Sequence, residues 1–325
     1  MIKKRDARFK KILNRQNEDL FTIKSIESFF NKKRGYVVKI PKPGSNVILL
    51  VSGGLDSITT WAILMKKYKL IVHPITINNW QGKRKSEMNS LSYYCKLFKR
   101  SYPKCYVEPF HVTYPSSPPE IKEALTSKLE SNVHPQIIKD NYDKKTKSVF
   151  LTRKYLYPAW VVFPAARASL FFEMQRNIKI KTIFTGTLPT DGDYNESQTL
   201  TSLRAAMLSL CASTNDYTWQ ILSLCFEKEI PSFFQKSDLI SWADKNHLPL
   251  QFTYSCLLNF NKNCGYCINC IARRNAFKMS GVEDETIYEG KSLRSFIYQI
   301  LKKIDKYINY KILKKRKFII KDYSQ

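Results

Sequence analysis

Apolar residues recur along this chain in two alternating rhythms. The consecutive run Val47-Ile48-Leu49-Leu50-Val51 predicts a strand buried on both faces, and the amphipathic stretch after it predicts a helix over about residues 58–68. The pattern then repeats: a strand over 70–77, a helix over 85–99, a strand over 106–113, a helix over 159–175 and a strand over 181–185. Helices over 198–212 and 237–245 follow, the last with Ser237 and Asp238 as candidate caps. Such alternation predicts an α/β fold built on a doubly wound parallel sheet with helices on both faces. Between 114 and 152 the rhythm breaks. That stretch, rich in Pro, Ser and Lys, reads as an insertion with some helix near 120–130. Residues 1–44 read as a basic N-terminal extension ending at Pro41-Lys42-Pro43-Gly44, and residues 282–325 as a basic helical tail.

Composition narrows the picture. A chain of 325 residues with 43% apolar content buries enough core for one large or two modest domains. No apolar run approaches the roughly 18 residues of a membrane span. A formal charge of +27 points to a polyanionic partner, but Lys, Ile, Asn and Tyr are abundant throughout, as a coding bias toward A and T would give. The clusters MIKKRDARFKKILNR and KKIDKYINYKILKKRKFIIK stand out from that background. Lysine-coated helices and nucleic-acid contacts both account for them, and charge patterning leaves the two open.

Chemistry concentrates in a few segments. Ser52-Gly53-Gly54-Leu55-Asp56-Ser57 joins the first strand to the first helix. Paired glycines there let backbone N–H groups close on an anion at the positive end of a helix, and the two serines add hydroxyl donors. No Gly-Lys-Ser/Thr follows, so this is neither a Walker loop nor a GxGxxG turn. It reads as the SGGxDS loop of ATP pyrophosphatases, which grips the pyrophosphate of ATP and leaves the α-phosphorus open to attack. Downstream, Cys256, Cys264, Cys267 and Cys270 fall in SCLLNFNKNCGYCINC. Four thiolates so spaced close a tetrahedral zinc site with no position for water, which implies structure; an iron–sulfur cluster is the competing reading. Cys95, Cys105, Cys211 and Cys225 read as buried hydrophobes. No secretory segment is read, disulfides are not expected, and a reducing cytoplasmic setting fits the thiols.

Ligands of doubly wound sheets bind beyond the carboxyl ends of the strands. That rule selects the loop at 52–57, Asn78-Asn79-Trp80-Gln81, and the segment from Gly186 to Glu196. Asp191, Asp193 and Glu196 crowd three acids into six residues. Magnesium on ATP phosphates, or a base or amine of a second substrate, would relieve their repulsion; a solvated acidic turn is the alternative. Arg167, within PAARASLFFEM, suits a phosphate or carboxylate pocket.

Over residues 46–281 the chain resembles the QueC family, the 7-cyano-7-deazaguanine synthases of queuosine biosynthesis. The resemblance is carried by SGGLDS with Thr59-Thr60, by Thr253-x-Ser255-Cys256, by CGYCINC, and by Arg273 or Arg274 with Phe277. Pro231 and Lys236-Ser237-Asp238 resemble the family's Pro-Leu segment and Lys-Ala-Glu. The resemblance implies a pyrophosphatase domain over 45–250 and a zinc module over 251–281. It implies that a carboxylate of 7-carboxy-7-deazaguanine attacks the α-phosphorus of ATP and that an amine, ammonia in the family, then displaces AMP. Ser52, Gly53, Gly54, Leu55 and Ser57 would hold pyrophosphate, and Asp56 would orient the loop or help with Mg2+. Arg167 and Lys236 would balance charge; Gln81, Asp191, Tyr194 and Glu196 are the substrate candidates.

Departures from the family pattern lie at the second-substrate end. Trp80-Gln81-Gly82-Lys83-Arg84 keeps a glutamine and loses a histidine, Pro164-Ala165-Ala166-Arg167-Ala168 lacks an asparagine, and Asp191 to Gln198 lacks an arginine. Edits of this kind resemble a QueC-like paralogue of antiphage defence, in which the acceptor amine belongs to a protein. Three classes therefore stay open: the deazaguanine synthase, a protein-directed ligase and a tRNA-modifying relative. By analogy with the family a homodimer is expected.

Overall fold

The structure is a computed structural model and describes residues 10–78, 85–113, 142–143, 148–149, 161–193, 195–230, 232–256, 262–265 and 267–288. The chain divides into two compact units. One draws on Met1–Pro115, Thr152–Ser255 and Ala272–Thr286, the other on Ser116–Leu151, Cys256–Ile271 and Ile287–Gln325.

The first unit holds a five-stranded sheet, β1 (Asn46–Leu50), β2 (Ile71–Asn78), β3 (Phe110–Thr113), β6 (Thr182–Thr185) and β7 (Gln220–Ser223). Its order is β3-β2-β1-β6-β7. Every pairing in it is parallel. The apolar run that predicts β1 is buried residue by residue, as a central parallel strand covered on both faces requires. β1 pairs with β2 from Asn46↔Ile71 to Leu50↔Ile75 and with β6 at Ile48↔Ile183 and Leu49↔Phe184. The chain winds outward through β2 and β3 on one side of β1 and through β6 and β7 on the other. The switch point therefore falls between β1 and β6, where such folds bind ligands.

Helices α1 (Leu20–Arg34), α2 (Leu55–Lys66), α3 (Lys85–Ser101), α4 (Phe163–Arg176), α5 (Leu200–Thr214), α6 (Lys236–Lys245) and α7 (Ile268–Ser280) complete the described elements. α2 buries Leu55, Ile58, Trp61, Ile63, Leu64 and Met65, so it runs through the core instead of over it. Each such side chain removed from water contributes about 1.5–3 kcal/mol.

Several sequence expectations need correction. The third strand begins at Phe110, not 106, because Pro109 has no N–H for the ladder and Tyr106 makes only an isolated bridge to Val72. Strand β7 has no counterpart in the expected pattern. Its four residues are all buried, too short a run for periodicity to register. Ser237 is not a cap. α6 is capped by Gln235, and Asp238 answers from the N3 position in a capping box. Within 1–44, residues 20–34 form α1, which buries Ile23, Ile26 and Phe30 and packs on α5. The helix expected near 120–130 and the tail beyond Tyr288 lie outside the described residues.

In the second unit, β4 (Tyr142–Asp143) and β5 (Ser148–Val149) pair antiparallel. The cysteine segment bridges Asn263 to Tyr288. Gly265 sits at φ +81, and a Cβ there would lie 3.3 Å from the Tyr288 side chain, so the turn between two of the cysteines needs glycine.

Candidate active site and cysteine centre

The turn leaving β1 is held from three directions. Gly53 adopts φ +85, and a Cβ there would meet the Glu87 carbonyl oxygen at 2.6 Å. The Gly53 carbonyl accepts from Ser90 Oγ at 2.7 Å and from the Tyr254 N–H at 3.1 Å. Inside the turn, the Gly54 N–H donates to Ser52 Oγ at 3.3 Å, and Ser57 Oγ donates to the Gly54 carbonyl at 3.2 Å. Gly54 is the N-cap of α2 but supplies no side-chain acceptor, so the first N–H groups of the helix remain available to an anion. Gly186, at the end of β6, lies so near that a Cβ on it would sit 3.0 Å from the Ser57 nitrogen. The switch-point loops thus close on one another.

Three predicted residues meet beside this turn. Lys236, the first residue of α6, places Nζ 3.0 Å from Asp56 Oδ2, with 18% and 23% of the two side chains exposed. Burial by itself lowers the Lys236 pKa, but Asp56 and Asp191 outweigh it and raise the value, so the ammonium stays charged. The second oxygen of Asp56, Oδ1, is buried without a hydrogen-bond partner. Asp191 opens the 3-10 turn Asp191–Asp193 after β6, where its Oδ2 accepts the Leu188 N–H at 2.8 Å. Burial and the negative charge of Asp56 push its carboxyl up to about 6. Cys225, expected as a buried hydrophobe, is buried there too, and desolvation and then Asp56 raise its thiol.

Arg167 is exposed in the second turn of α4, and Glu196 is exposed beyond the acidic turn. Gln81 and Tyr194 lie outside the described residues.

The signature Thr253-x-Ser255 and the arginine after the cysteines have a physical basis in the first unit. Arg273, not Arg274, is the buried one. It donates to Thr253 Oγ1 at 2.6 Å, Ser255 Oγ at 3.2 Å, the Leu250 carbonyl at 2.8 Å and Thr286 Oγ1 at 2.7 Å. Its guanidinium lies over the Phe277 ring at 5.3 Å. The segment so clamped carries Tyr254, whose N–H holds Gly53.

Sequence reasoning missed two further features. Arg204 and Glu227 form a buried bidentate pair at 3.2 and 2.8 Å, and Glu27 adds a third contact at 3.0 Å. Residues 15–19 also contact the acidic turn and the start of α5. Contacts between residues so distant in sequence leave no periodic trace.

In the second unit all four predicted cysteines come together. Their Sγ atoms lie within 4.8 Å of one another and all four residues are buried. Cys264 and Cys270 are 3.8 Å apart and Cys256 and Cys267 4.0 Å, and the Cys267 N–H donates to Cys264 Sγ at 3.2 Å. Such a group is a metal site by donor chemistry and geometry. Cys211 and Cys225 stand apart as buried thiols.

Residues 161–281 match the family model described as "Queuosine biosynthesis protein QueC". The 7-cyano-7-deazaguanine synthase of Methanosphaera stadtmanae is 25% identical over 245 residues, 74% of this chain and 97% of that protein. The synthase of Sinorhizobium fredii is 41% identical over 54 residues, 17% of this chain and 23% of its own length. Among solved structures, the U34-tRNA thiolase NcsA from Methanococcus maripaludis with its 4Fe–4S cluster aligns over 73% of this chain and 68% of that one, at 14% identity and a TM-score of 0.32. The chain is thus similar to QueC proteins over residues 161–281 and, more distantly, to the Methanosphaera synthase along most of that protein's length.

Proposed function

We propose that the chain is an ATP-dependent carbon–nitrogen ligase that activates the carboxylate of 7-carboxy-7-deazaguanine. A carboxylate oxygen attacks the α-phosphorus of ATP, and pyrophosphate leaves. An amine nitrogen then attacks the acyl carbon, and AMP leaves with the carboxylate oxygen, giving an amide. With ammonia as the amine, the amide oxygen attacks the α-phosphorus of a second ATP with loss of pyrophosphate, and departure of AMP with two protons yields the nitrile. The observation that carries this reading is the Asp56–Lys236 pair beside the glycine turn at the switch point, with Asp191 facing both.

In this reading Ser52, Gly53, Gly54, Leu55 and Ser57 hold the pyrophosphate through hydroxyls and N–H groups. The turn has no lysine of the Walker kind at the β- and γ-phosphates, which favours attack at the α-phosphorus. Lys236 balances phosphate charge. The unpartnered Asp56 Oδ1 suits a donor or Mg2+, which would neutralise the leaving pyrophosphate when bound. Asp191 lies where the second reactant enters. Neutralising and orienting charge in a preorganised site supplies several kcal/mol without any protein nucleophile.

The cysteine centre is proposed to hold one zinc ion. A tetrahedral zinc with bonds near 2.3 Å places its sulfurs about 3.8 Å apart, close to the edges found here. A four-iron cluster needs its thiolates farther apart, at the corners of a cube. The ion would have no open position and would serve structure.

The test is incubation with ATP, 7-carboxy-7-deazaguanine and ammonium, with nucleotides and deazaguanines resolved by mass spectrometry. Acid-dependent AMP and pyrophosphate support the reading, and nitrile against amide tells which amine chemistry the chain completes. No acid-dependent turnover refutes it.

A further inference from the structure

The segment 15–19 is tied to the loop and helix that follow β6. Arg15 pairs with Asp193, and Asn17 Nδ2 donates to the Gly192 carbonyl at 2.7 Å. Glu18 reaches farther. Its Oε1 accepts the Leu200 N–H at 2.8 Å, and its Oε2 accepts the Thr201 N–H at 2.9 Å and Thr201 Oγ1 at 2.7 Å. Thr199, the N-cap of α5, takes only the Ser202 N–H, so a carboxylate from far away in sequence satisfies the two orphan donors that precede it. Asp19 then donates its N–H to Thr201 Oγ1 at 2.8 Å while its carboxylate caps α1. α1 itself packs on α5. The segment is thereby fixed along its whole length.

These ties converge on the turn that presents Asp191. Gly192 is so tightly seated that a Cβ on it would lie 2.9 Å from Thr199 Cγ2, so the turn packs closely against the start of α5. Arg15 neutralises Asp193 and leaves Asp191 as the acid that faces Asp56 and Lys236. Among the described residues, the side-chain hydrogen bonds of Arg15, Asn17 and Glu18 run to 192–193 and 200–201 and none reaches Ser52–Ser57. We infer that Arg15, Asn17 and Glu18 are positioning residues for the acid-binding side of the site, setting where Asp191 stands for the second reactant and leaving the ATP side untouched. This inference rests on the acid-activating reading above.

Arg15→Ala/Asn17→Ala, Glu18→Gln and Arg15→Lys, each in the full chain, test it. Initial rates of pyrophosphate release are titrated separately against ATP and 7-carboxy-7-deazaguanine, and hydrogen exchange is followed over 52–57 and 188–201. The double variant, which removes a half-exposed ion pair and a part-buried hydrogen bond, is expected to raise KM for the acid up to about tenfold, with KM for ATP within twofold. Arg15→Lys should restore most of that loss, and exchange should quicken over 188–201 alone. For an active wild-type chain, an unchanged acid KM, or acid and ATP values that rise together, overturns the inference. A wild-type chain that releases no pyrophosphate with this acid instead refutes the acid-activating reading. Exchange then decides: quickening confined to 188–201 upholds the brace, and unchanged exchange overturns it.

Discussion

At the scale of residues, the site depends on a charged pair held at the edge of the core. Removing one partner leaves the other partly desolvated and uncompensated, and loss of Lys236 also takes away the cation proposed to balance phosphate charge. Lys236→Met is therefore expected to lower the rate of pyrophosphate release about a hundredfold, as loss of a preorganised charge-stabilising donor does, while Lys236→Arg recovers part of it. Steady-state assays against ATP, with circular dichroism as the folding control, check this. Asp191 makes a second expectation. Its folded pKa, pushed up to about 6, exceeds the ordinary value of 3.8, so folding takes up a proton between those values. The carboxyl therefore adds nothing unfavourable below pH 4, and stability falls as pH rises through 6. Asp191→Asn should remove that fall and gain roughly 2–3 kcal/mol over the wild type on going from pH 4 to pH 8. Urea unfolding at the two pH values measures the difference; an equal change in both proteins would show that Asp191 does not titrate this way.

Among elements, a buried ionic knot joins helices whose relation to the sheet sets the strand-end loops. Arg204 on α5 grips Glu227, which follows β7, and Glu27 on α1, and the negative charge of Glu227 raises the Arg204 pKa against the effect of burial. Both side chains of the bidentate pair are almost wholly enclosed, at 2% and 0% exposed. Breaking such a pair from one side costs about 3–5 kcal/mol, so Glu227→Gln should lower the urea midpoint sharply. Arg204→Met/Glu227→Met should lose much less, because the only charge then left without its partner is Glu27, which is part-exposed to water. A double variant as unstable as the single ones would mean that packing, not charge, governs this contact. The same elements bear on what the sequence discloses. β1 and α2 are legible because one is continuously apolar and the other follows a glycine turn. β7 and the packing of α1 are not, since a four-residue strand has no period and a lysine-rich helix reads as solvated until its Ile23, Ile26 and Phe30 find α5.

For the molecule as a whole, the two units keep separate chemistries that the sequence discloses unequally. The cysteine centre was fully legible, because four thiols in a short segment have few other uses. The glycine turn between β1 and α2 was equally plain. Asp191 and Lys236 were visible only through strand-end position and family resemblance, and the brace from Arg15 to Glu18 left no signal, being made of single side chains that meet across long separations. For the metal, elemental analysis should give one zinc per chain, lost in Cys264→Ser and kept in Cys211→Ala. Zinc-finger peptides gain roughly 10–16 kcal/mol from comparable sites, so chelation should unfold the cysteine module ahead of the sheet. Iron with visible absorbance would overturn zinc without touching the sheet or its turn. The turn at Ser52–Ser57 is proposed to hold ATP with its α-phosphorus open to attack. The nucleotide product formed with 7-carboxy-7-deazaguanine tests that proposal: AMP and pyrophosphate in equal amounts, falling away in Asp56→Ala, are expected, whereas ADP and orthophosphate as the main products would overturn it.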